Sequence, residues 1–164
     1  MSQTKNPGDQ YLLAIFQNDL PTLTKLIESG ADVESLDKSG RTPLTNAAIE
    51  DNIPFARLLL ERGAKINAQD QLGWTPLHFS ASGYQKEMTE FLLTNGAKID
   101  VQDSYGTTPL FRAVFESRGR GEIIELLRKH GADPHCANNN GVTPVSLAKS
   151  IGNYDVAQFF KDLE

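Results

Sequence analysis

Residues 70–78 read Asp-Gln-Leu-Gly-Trp-Thr-Pro-Leu-His, and variants of this phrase recur along the chain. Its central part, Gly-x-Thr-Pro-[Leu/Val], occurs four times, with threonines at Thr42, Thr75, Thr108 and Thr143. These threonines are separated by 33, 33 and 35 residues. A second phrase, Gly-Ala-[Asp/Lys], keeps the same spacing at Gly30, Gly63, Gly96 and Gly131. Two phrases in phase indicate internal repeats of about 33 residues.

Each repeat predicts a turn followed by two short helices. Asp70 is typical of the first residue of a turn, and Gly73 of a position with positive φ. Thr75 can cap a helix whose first residue is Pro76, where the missing N–H has no partner to lose. A second segment with helical apolar spacing follows and ends at Gly96, a residue type that commonly terminates helices.

The chain resembles the ankyrin repeat, whose period is 33 residues and whose characteristic phrase is Thr-Pro-Leu-His-x-Ala. Residues 75–78 match the first four positions of that phrase, and the resemblance covers nearly the whole chain. It implies an all-α repeat solenoid, an ankyrin-type stack of helix-turn-helix units joined by β-hairpin-like loops. The single domain 1–164 would comprise capping repeats at 7–36 and 138–164 and internal repeats at 37–69, 70–102 and 103–137.

The two ends of the chain depart from the pattern. The first unit lacks Thr-Pro-Leu and offers Asp9 as a helix start, with Asp19 opening its second helix. The last unit has Lys161 where the internal units have the second residue of an apolar pair. Polar groups are expected where a stack of repeats meets water, so we expect the array to be complete.

Composition excludes several classes of protein. Hydrophobic residues make up 39% of the 164 positions, and no apolar run approaches the length that a bilayer span requires. The net charge of −5 argues against nucleic-acid binding, which depends on clustered Lys and Arg. Cys136 is the only cysteine, and residues 1–8 lack the apolar segment of a secretory signal. We therefore expect a cytoplasmic protein that binds neither membranes nor nucleic acid and is monomeric on its own.

Three polar residues near one another in sequence raise the possibility of chemistry. His130, His135 and Cys136 are close enough for a metal site or a Cys–His nucleophile. However, His130 precedes a helix-ending glycine, where a cation is favoured by the helix dipole. We therefore expect no catalytic residue, no metal and no cofactor, with a Cys/His enzyme as the alternative. The resemblance implies that His78 is a hydrogen-bonding residue at a helix start.

Equivalent positions of stacked repeats align, so a partner would contact columns of residues. In the family, the loop tips and the ends of the first helices line a concave binding face. Trp74 and Tyr105 are the main candidates, because Trp, Tyr and Arg dominate interface hot spots. The alternative for Trp74 is that it packs against its neighbours and stiffens the stack. The candidate partner-binding residues are Lys38, Arg41, Ile49, Glu50, Gln71, Leu72, Trp74, Ser82, Tyr105, Thr107, Phe115, Glu116, Arg118 and Arg120.

Arg118 and Arg120 lie in the only Gly-dense segment, where the repeat lengthens from 33 to 35 residues. This segment is either a surface insertion without function or a protruding basic knob. The function we expect is that of a non-catalytic protein–protein interaction module that inhibits or neutralises a partner. A basic protein such as a toxin or nuclease would suit the acidic chain. The alternative is an adaptor or scaffold subunit that tethers its partner without inhibiting it.

Overall fold

The computed structural model describes residues 6–163, so residues 1–5 and Glu164 of the expected domain lie outside the described residues. Within 6–163 the chain forms nine α-helices and one 3₁₀ helix, and no strand. This arrangement confirms the predicted all-α fold class. The helices are α1 (Pro7–Phe16), α2 (Leu20–Glu28), α3 (Pro43–Ile49), α4 (Ile53–Glu61), α5 (Pro76–Ser82), α6 (Lys86–Thr94), α7 (Pro109–Phe115), α8 (Glu122–Lys129), α9 (Pro144–Ser150) and the 3₁₀ helix (Val156–Leu163).

Threonine caps start the helices of the repeated phrase, as predicted. Thr42, Thr75, Thr108 and Thr143 precede α3, α5, α7 and α9, and each hydroxyl accepts from the backbone N–H three residues later. Helix α1 begins earlier than the expected start at Asp9. Asn6 caps it by accepting from the N–H of Gly8 at 3.0 Å, and Pro7 is its first residue. An Asn-Pro pair can begin a helix in the same way as Thr-Pro.

The helices form two rows. In the first row, α1, α3, α5, α7 and α9 each pack against the next, while the second helix of each pair packs against the first. Contacts between α4, α6 and α8 complete the second row. Leucines fill the space between the rows and have 0–1% of their surface exposed. These leucines are Leu44, Leu77 and Leu110 of the first row and Leu59, Leu92 and Leu127 of the second.

The loops at 37–41, 70–74, 103–107 and 138–142, here called the finger loops, share one conformation. In the second of them, Asp70 Oδ1 accepts from the N–H groups of Leu72 and Trp74, both at 2.9 Å. The N–H of Asp70 also donates to the carbonyl of Trp74 at 2.9 Å. The Asp or Asn that the sequence places at the start of each loop therefore closes a narrow hairpin without forming a strand.

Neighbouring finger loops stack directly on one another. The N–H of Ser104 donates to the carbonyl of Leu72 at 2.9 Å, and the N–H of Asn139 to that of Tyr105 at 3.0 Å. Gly106 shows why the loop needs glycine, since its φ is +74° and an added Cβ would lie 2.8 Å from the Asn139 nitrogen. The stacking fixes the relative positions of the loop tips.

Candidate protein-binding surface

Two loop tips present large apolar side chains to solvent. Leu72 is 51% exposed and Tyr105 is 59% exposed, on finger loops joined by the backbone bond between Ser104 and Leu72. Asp103 fixes the third finger loop, because its Oδ1 accepts from the N–H of Tyr105 at 2.9 Å. Tyr105 is therefore held on an ordered backbone while its ring faces water.

Trp74 has a different environment from Tyr105. Its ring is half-buried, with its centroid 4.9 Å from that of Phe79 and 5.9 Å from that of His78. The guanidinium of Arg112 makes a cation–π contact with Trp74, at 4.4 Å from the centroid of the indole ring. This packing agrees with the alternative in which Trp74 stiffens the stack. A partner contact through the remaining exposed part of the ring stays a prediction.

Asp103 and Arg112 form an ion pair that the sequence analysis did not identify. The Asp103 side chain is 0% exposed, and its Oδ2 accepts from Arg112 Nη2 and from Thr107 Oγ1, both at 2.6 Å. Burial acts to raise the pKa of Asp103, but the hydrogen bonds from Arg112 and Thr107 outweigh it and lower that pKa. The pair ties the finger loop to α7 and holds Arg112 against Trp74.

Thr107 belongs to this internal network. Only 4% of its surface is exposed, and its hydroxyl donates to Asp103. This burial corrects the expectation that Thr107 contacts a partner. The equivalent positions of two other loops, Arg41 and Trp74, are half-buried and leave part of the side chain accessible. The Thr107 side chain is shorter than those of Arg41 and Trp74, so its hydroxyl can donate to the buried Asp103 carboxylate without reaching solvent.

The first finger loop carries two cationic side chains, Lys38 and Arg41, in different environments. Lys38 is exposed, and its Nζ lies 3.9 Å from Asp9. Arg41 is held more firmly, with its guanidinium 5.0 Å from the Phe79 ring centroid and its Nε 3.8 Å from Asp70. Gln71, the neighbouring tip residue on the second loop, is exposed. Of these residues, Arg41 is part of the stack and Lys38 and Gln71 extend into solvent.

The ends of the first-row helices carry the remaining candidates. Phe115 ends α7 and is 60% exposed, while Ile49 of α3 and Ser82 of α5 are half-buried. Glu50 is exposed and Glu116 half-buried, each directly after its helix. These residues occupy corresponding positions on neighbouring helices, so they lie along one side of the first row.

The most exposed member of this column, Phe16, is 72% exposed and is not among the residues predicted from the sequence. The first unit lacks the Thr-Pro phrase, so that phrase does not align its residues with those of the other units. The residues that cap the second helix of each unit nevertheless allow the first unit to be aligned with the second. Asp19 and Asn52 cap α2 and α4, and the residues three positions earlier are Phe16 and Ile49. Alignment on these caps places Phe16 in the column.

The two arginines of the lengthened repeat differ. Arg120 folds back, with its guanidinium 3.8 Å from the Tyr84 ring centroid and its Nε donating to the Ser117 carbonyl at 3.1 Å. The Tyr84 hydroxyl lies 2.9 Å from the carbonyls of both Arg120 and Ala113. These contacts secure the loop to the stack, although Arg120 remains exposed, and a partner contact through Arg120 stays a prediction. Arg118 is exposed.

His78 performs the role that the resemblance implied. It is fully buried, and its Nδ1 accepts from the N–H of Thr75 at 3.1 Å. This assigns the proton to Nε2, which donates to the carbonyl of Thr107 at 3.1 Å. Burial lowers the pKa of His78 and favours this neutral form. The imidazole thus joins α5 to the third finger loop.

The Cys/His alternative gains no support from the arrangement of these side chains. Among residues 6–163, no group of three or more His, Cys, Asp or Glu residues could hold a metal ion. Burial raises the pKa of Cys136, and Asp100 and Asp133 raise it further. Because the thiolate is the reactive form, a raised pKa is opposite to what a nucleophilic cysteine requires.

No helix within residues 6–163 is both long and apolar enough to cross a bilayer.

Comparison with known proteins agrees with the repeated architecture. A family model described as ankyrin repeats (3 copies) matches three overlapping stretches, residues 11–103, 52–138 and 85–164. A search of curated proteins finds no match to the chain. Ankyrin repeats are protein–protein interaction modules, and they bind protein partners in general. Since the matches together extend from residue 11 to residue 164, the chain belongs to the ankyrin repeat family.

Proposed function

We propose that this protein is a non-catalytic interaction module that binds a partner protein through its finger loops and the first-row helices, and thereby inhibits or neutralises it. The observation that carries the proposal is the exposure of Leu72 and Tyr105 at finger-loop tips and of Phe115 at the end of α7. Large apolar side chains in water favour association, because a partner removes them from solvent. In the family, these positions line the concave face.

The order of the finger loops supports tight binding. Association costs free energy when loops and side chains become ordered at an interface. Tyr105 lies on a loop closed by Asp103 and bonded to its neighbours through Ser104 and Asn139. Little backbone freedom is therefore left to lose, and a tyrosine has few rotatable bonds for the area it buries.

Charge supports a basic partner. The chain has a net charge of −5, and Glu50 and Glu116 border the first-row helix ends. Complementary charge accelerates association and excludes partners of like charge. A basic protein such as a toxin or nuclease fits this surface. We further propose that the protein is monomeric on its own and acts in the cytoplasm, where an unpaired cysteine such as Cys136 stays reduced.

The test begins with capture of partners from the native cell on the full-length chain, followed by affinity measurements with purified proteins. Tyr105→Ala is expected to weaken binding at least about 10-fold, which corresponds to about 1.4 kcal/mol. Leu20→Ala is the matched control, because Leu20 is 37% exposed on α2 of the second row. Both variants should unfold at wild-type urea concentrations.

The partner's own activity decides between inhibition and tethering. Loss of that activity on binding supports a neutraliser, and full activity in the complex identifies an adaptor. A partner that binds Tyr105→Ala as tightly as the wild type, or weakens equally with Leu20→Ala, would contradict the proposed surface. Failure to capture any specific protein would contradict the interaction role itself.

A further inference from the structure

Two glutamines at the base of the finger loops join each loop to the next. Gln69 precedes the second finger loop, and its Nε2 donates to the carbonyl of Gly73 at 2.8 Å and to that of Gln102 at 3.2 Å. Gln102 occupies the equivalent position of the next unit, and its Nε2 donates to the carbonyls of Gly106 at 3.0 Å and Ala137 at 3.1 Å. Each carboxamide therefore bonds both its own loop and the residues that lead into the following loop.

The same loops are also joined through their backbones. The N–H of Ser104 donates to the carbonyl of Leu72 at 2.9 Å, and the N–H of Asn139 donates to that of Tyr105 at 3.0 Å. An added Cβ at Gly73 would lie 3.0 Å from the Ser104 nitrogen, so these loops are in backbone contact. The second, third and fourth finger loops therefore form one hydrogen-bonded group, which we call the joined loops.

The first finger loop lacks the glutamine bridge. Leu36 occupies the position of Gln69 and Gln102, and its side chain, which is 50% exposed, has no N–H to donate. The carbonyl of Leu36 accepts from Asn6 Nδ2 at 2.9 Å, at the start of α1. Leu36 therefore bonds the base of the first finger loop to the preceding unit and not to the following one.

The first finger loop also lacks the backbone bond. Among residues 6–163, no hydrogen bond joins Gln71 to Ser39, which occupy the positions of the backbone-bonded pair one repeat later. An added Cβ at Gly40 would meet the side chain of Gln71, with its Cγ at 2.8 Å, rather than the backbone of the second loop. A side chain thus separates these two loops at the place where the joined loops are in backbone contact.

Arg41 supplies the other contacts of the first finger loop with the third unit. Its guanidinium lies 5.0 Å from the Phe79 ring centroid, and its Nε lies 3.8 Å from Asp70, beyond hydrogen-bonding distance. The loop keeps its own shape, because Asp37 accepts from Asn46 Nδ2 at 2.9 Å. The first finger loop can therefore shift relative to the joined loops without breaking a hydrogen bond to them.

This difference divides the proposed binding surface into two parts. Leu72 and Tyr105 belong to the joined loops, whereas Lys38 and Arg41 belong to the first finger loop. Segments with fewer hydrogen bonds move at a lower cost in free energy. A surface that is ordered before binding loses less conformational freedom in the complex. The joined loops are therefore ordered in advance, and the first finger loop keeps freedom to move.

Resting on the proposed function, we propose that Gln69 and Gln102 are positioning residues, which hold the joined loops in the conformation that the partner binds. The first finger loop lies outside this group and changes its position relative to the second loop when the partner contacts Lys38 and Arg41. Leu36 is the residue that leaves the first loop uncoupled.

Amide hydrogen exchange of the full-length chain, followed by NMR, tests the bridges without a partner. The N–H of Gln71 is expected to exchange at least about 10-fold faster than those of Ser104 and Asn139. Gln69→Met should accelerate exchange at Ser104 about 3-fold or more, because methionine has a similar length and no N–H to donate. Gln102→Met should have the same effect at Asn139.

Leu36→Gln is the variant that supplies the missing bridge, and it should slow exchange at Gln71 by about 3-fold or more. The two variants of the bridging glutamines are controls for each other, because each should act mainly at its own pair of loops. Leu36, Gln69 and Gln102 are all exposed, so the three variants should unfold at wild-type urea concentrations.

The affinity of the captured partner tests the effect of the bridges on binding. Gln69→Met and Gln102→Met are each expected to weaken binding at least about 3-fold, through faster dissociation. Leu36→Gln is expected to weaken binding by a similar factor, because a bridged loop can no longer follow the partner. Leu20→Ala, on the second row, should bind as the wild type does.

The outcomes separate this inference from the proposed function. Wild-type affinity of either variant of the bridging glutamines, or of Leu36→Gln, would overturn the inference, as would equal exchange rates at Gln71 and Ser104. If the captured partner depends on Tyr105 but not on the bridging glutamines, the interaction role stands and this inference fails. Failure to capture any specific protein would overturn both.

Discussion

Replacement of Asp103 by Asn removes one charge from the ion pair that organises the third finger loop. The amide oxygen can still accept from the N–H groups of Tyr105 and Thr107 at the position of Oδ1. At the position of Oδ2, however, an amide NH₂ would face two donors, Arg112 Nη2 and the Thr107 hydroxyl. Arg112, only 19% exposed, would lose the carboxylate that compensates its charge.

The expected loss in unfolding free energy is about 3–5 kcal/mol, the range for breaking one side of a buried ion pair. Asp70→Asn is the matched control. Asp70 makes the same loop bonds through Oδ1, but its Oδ2 lies 3.8 Å from the Nε of the more exposed Arg41. We expect Asp70→Asn to cost less than about 1 kcal/mol.

Urea unfolding followed by circular dichroism at pH 7 measures both losses. Equal losses for the two variants, or a loss below about 1 kcal/mol for Asp103→Asn, would refute the reasoning from the ion pair. Because Arg112 also contacts Trp74, the fluorescence of this single tryptophan should change in the folded Asp103→Asn variant and not in Asp70→Asn.

The pH dependence follows from the lowered pKa of Asp103. A carboxyl whose pKa is lower in the folded state contributes stability that is present above the unfolded pKa, about 3.9 for Asp. That contribution is lost as the pH falls through the folded value. The difference between wild type and Asp103→Asn should therefore be largest at pH 7 and shrink below about pH 4. Asp19 and Asp162 also have lowered pKa values, but the wild type and Asp103→Asn both contain them, so they do not contribute to the difference between the two proteins.

Three other predictions concern the core, the loops and the cysteine. Leu92→Ala should lower the unfolding free energy by about 2–5 kcal/mol because Leu92 is 0% exposed, whereas Leu72→Ala at a 51% exposed tip should cost less than about 1 kcal/mol in the same urea titration. Gly106→Ala should cost at least about 1 kcal/mol more than Gly63→Ala, since both have positive φ but an added Cβ at Gly63 meets nothing within 4 Å. Cys136 should react with iodoacetamide at pH 7 more slowly than a free thiol and accelerate above about pH 9, since its pKa is raised; faster reaction would revive the nucleophile hypothesis.

The recurring phrases predicted the helix pairs because their information is local. Thr75 and Pro76 specify a helix start through their own backbone and side-chain chemistry, whatever surrounds them. The same holds for the Oδ1 of Asp70, which accepts from the N–H groups of Leu72 and Trp74 within its own loop. The start of α1 was misplaced because Asn6-Pro7 performs this function without the repeated phrase.

The candidate surface could be predicted only in part, because exposure depends on contacts between repeats. Tyr105 and Trp74 are both aromatic residues of finger loops, yet one ring is 59% exposed and the other lies against Phe79 and Arg112. Tyr105 precedes its loop glycine and Trp74 follows its own, and in all four finger loops the residue after the glycine is the less exposed of the two. One face of Trp74 is covered by Arg112 of the following repeat, 38 positions away in the chain.

The sequence by itself determined the repeat period, the turn and helix chemistry of each unit, and the family, because these depend on residues a few positions apart. The tertiary structure decided which side chains are left for a partner. Thr107 is buried because its hydroxyl bonds to a carboxylate of its own loop that Arg112 also holds, and the exposed Arg120 lies with its guanidinium against Tyr84 of another unit. Phe16 is 72% exposed. Whether a side chain is covered depends on the helices and loops packed beside it, and only the assembled stack brings those together.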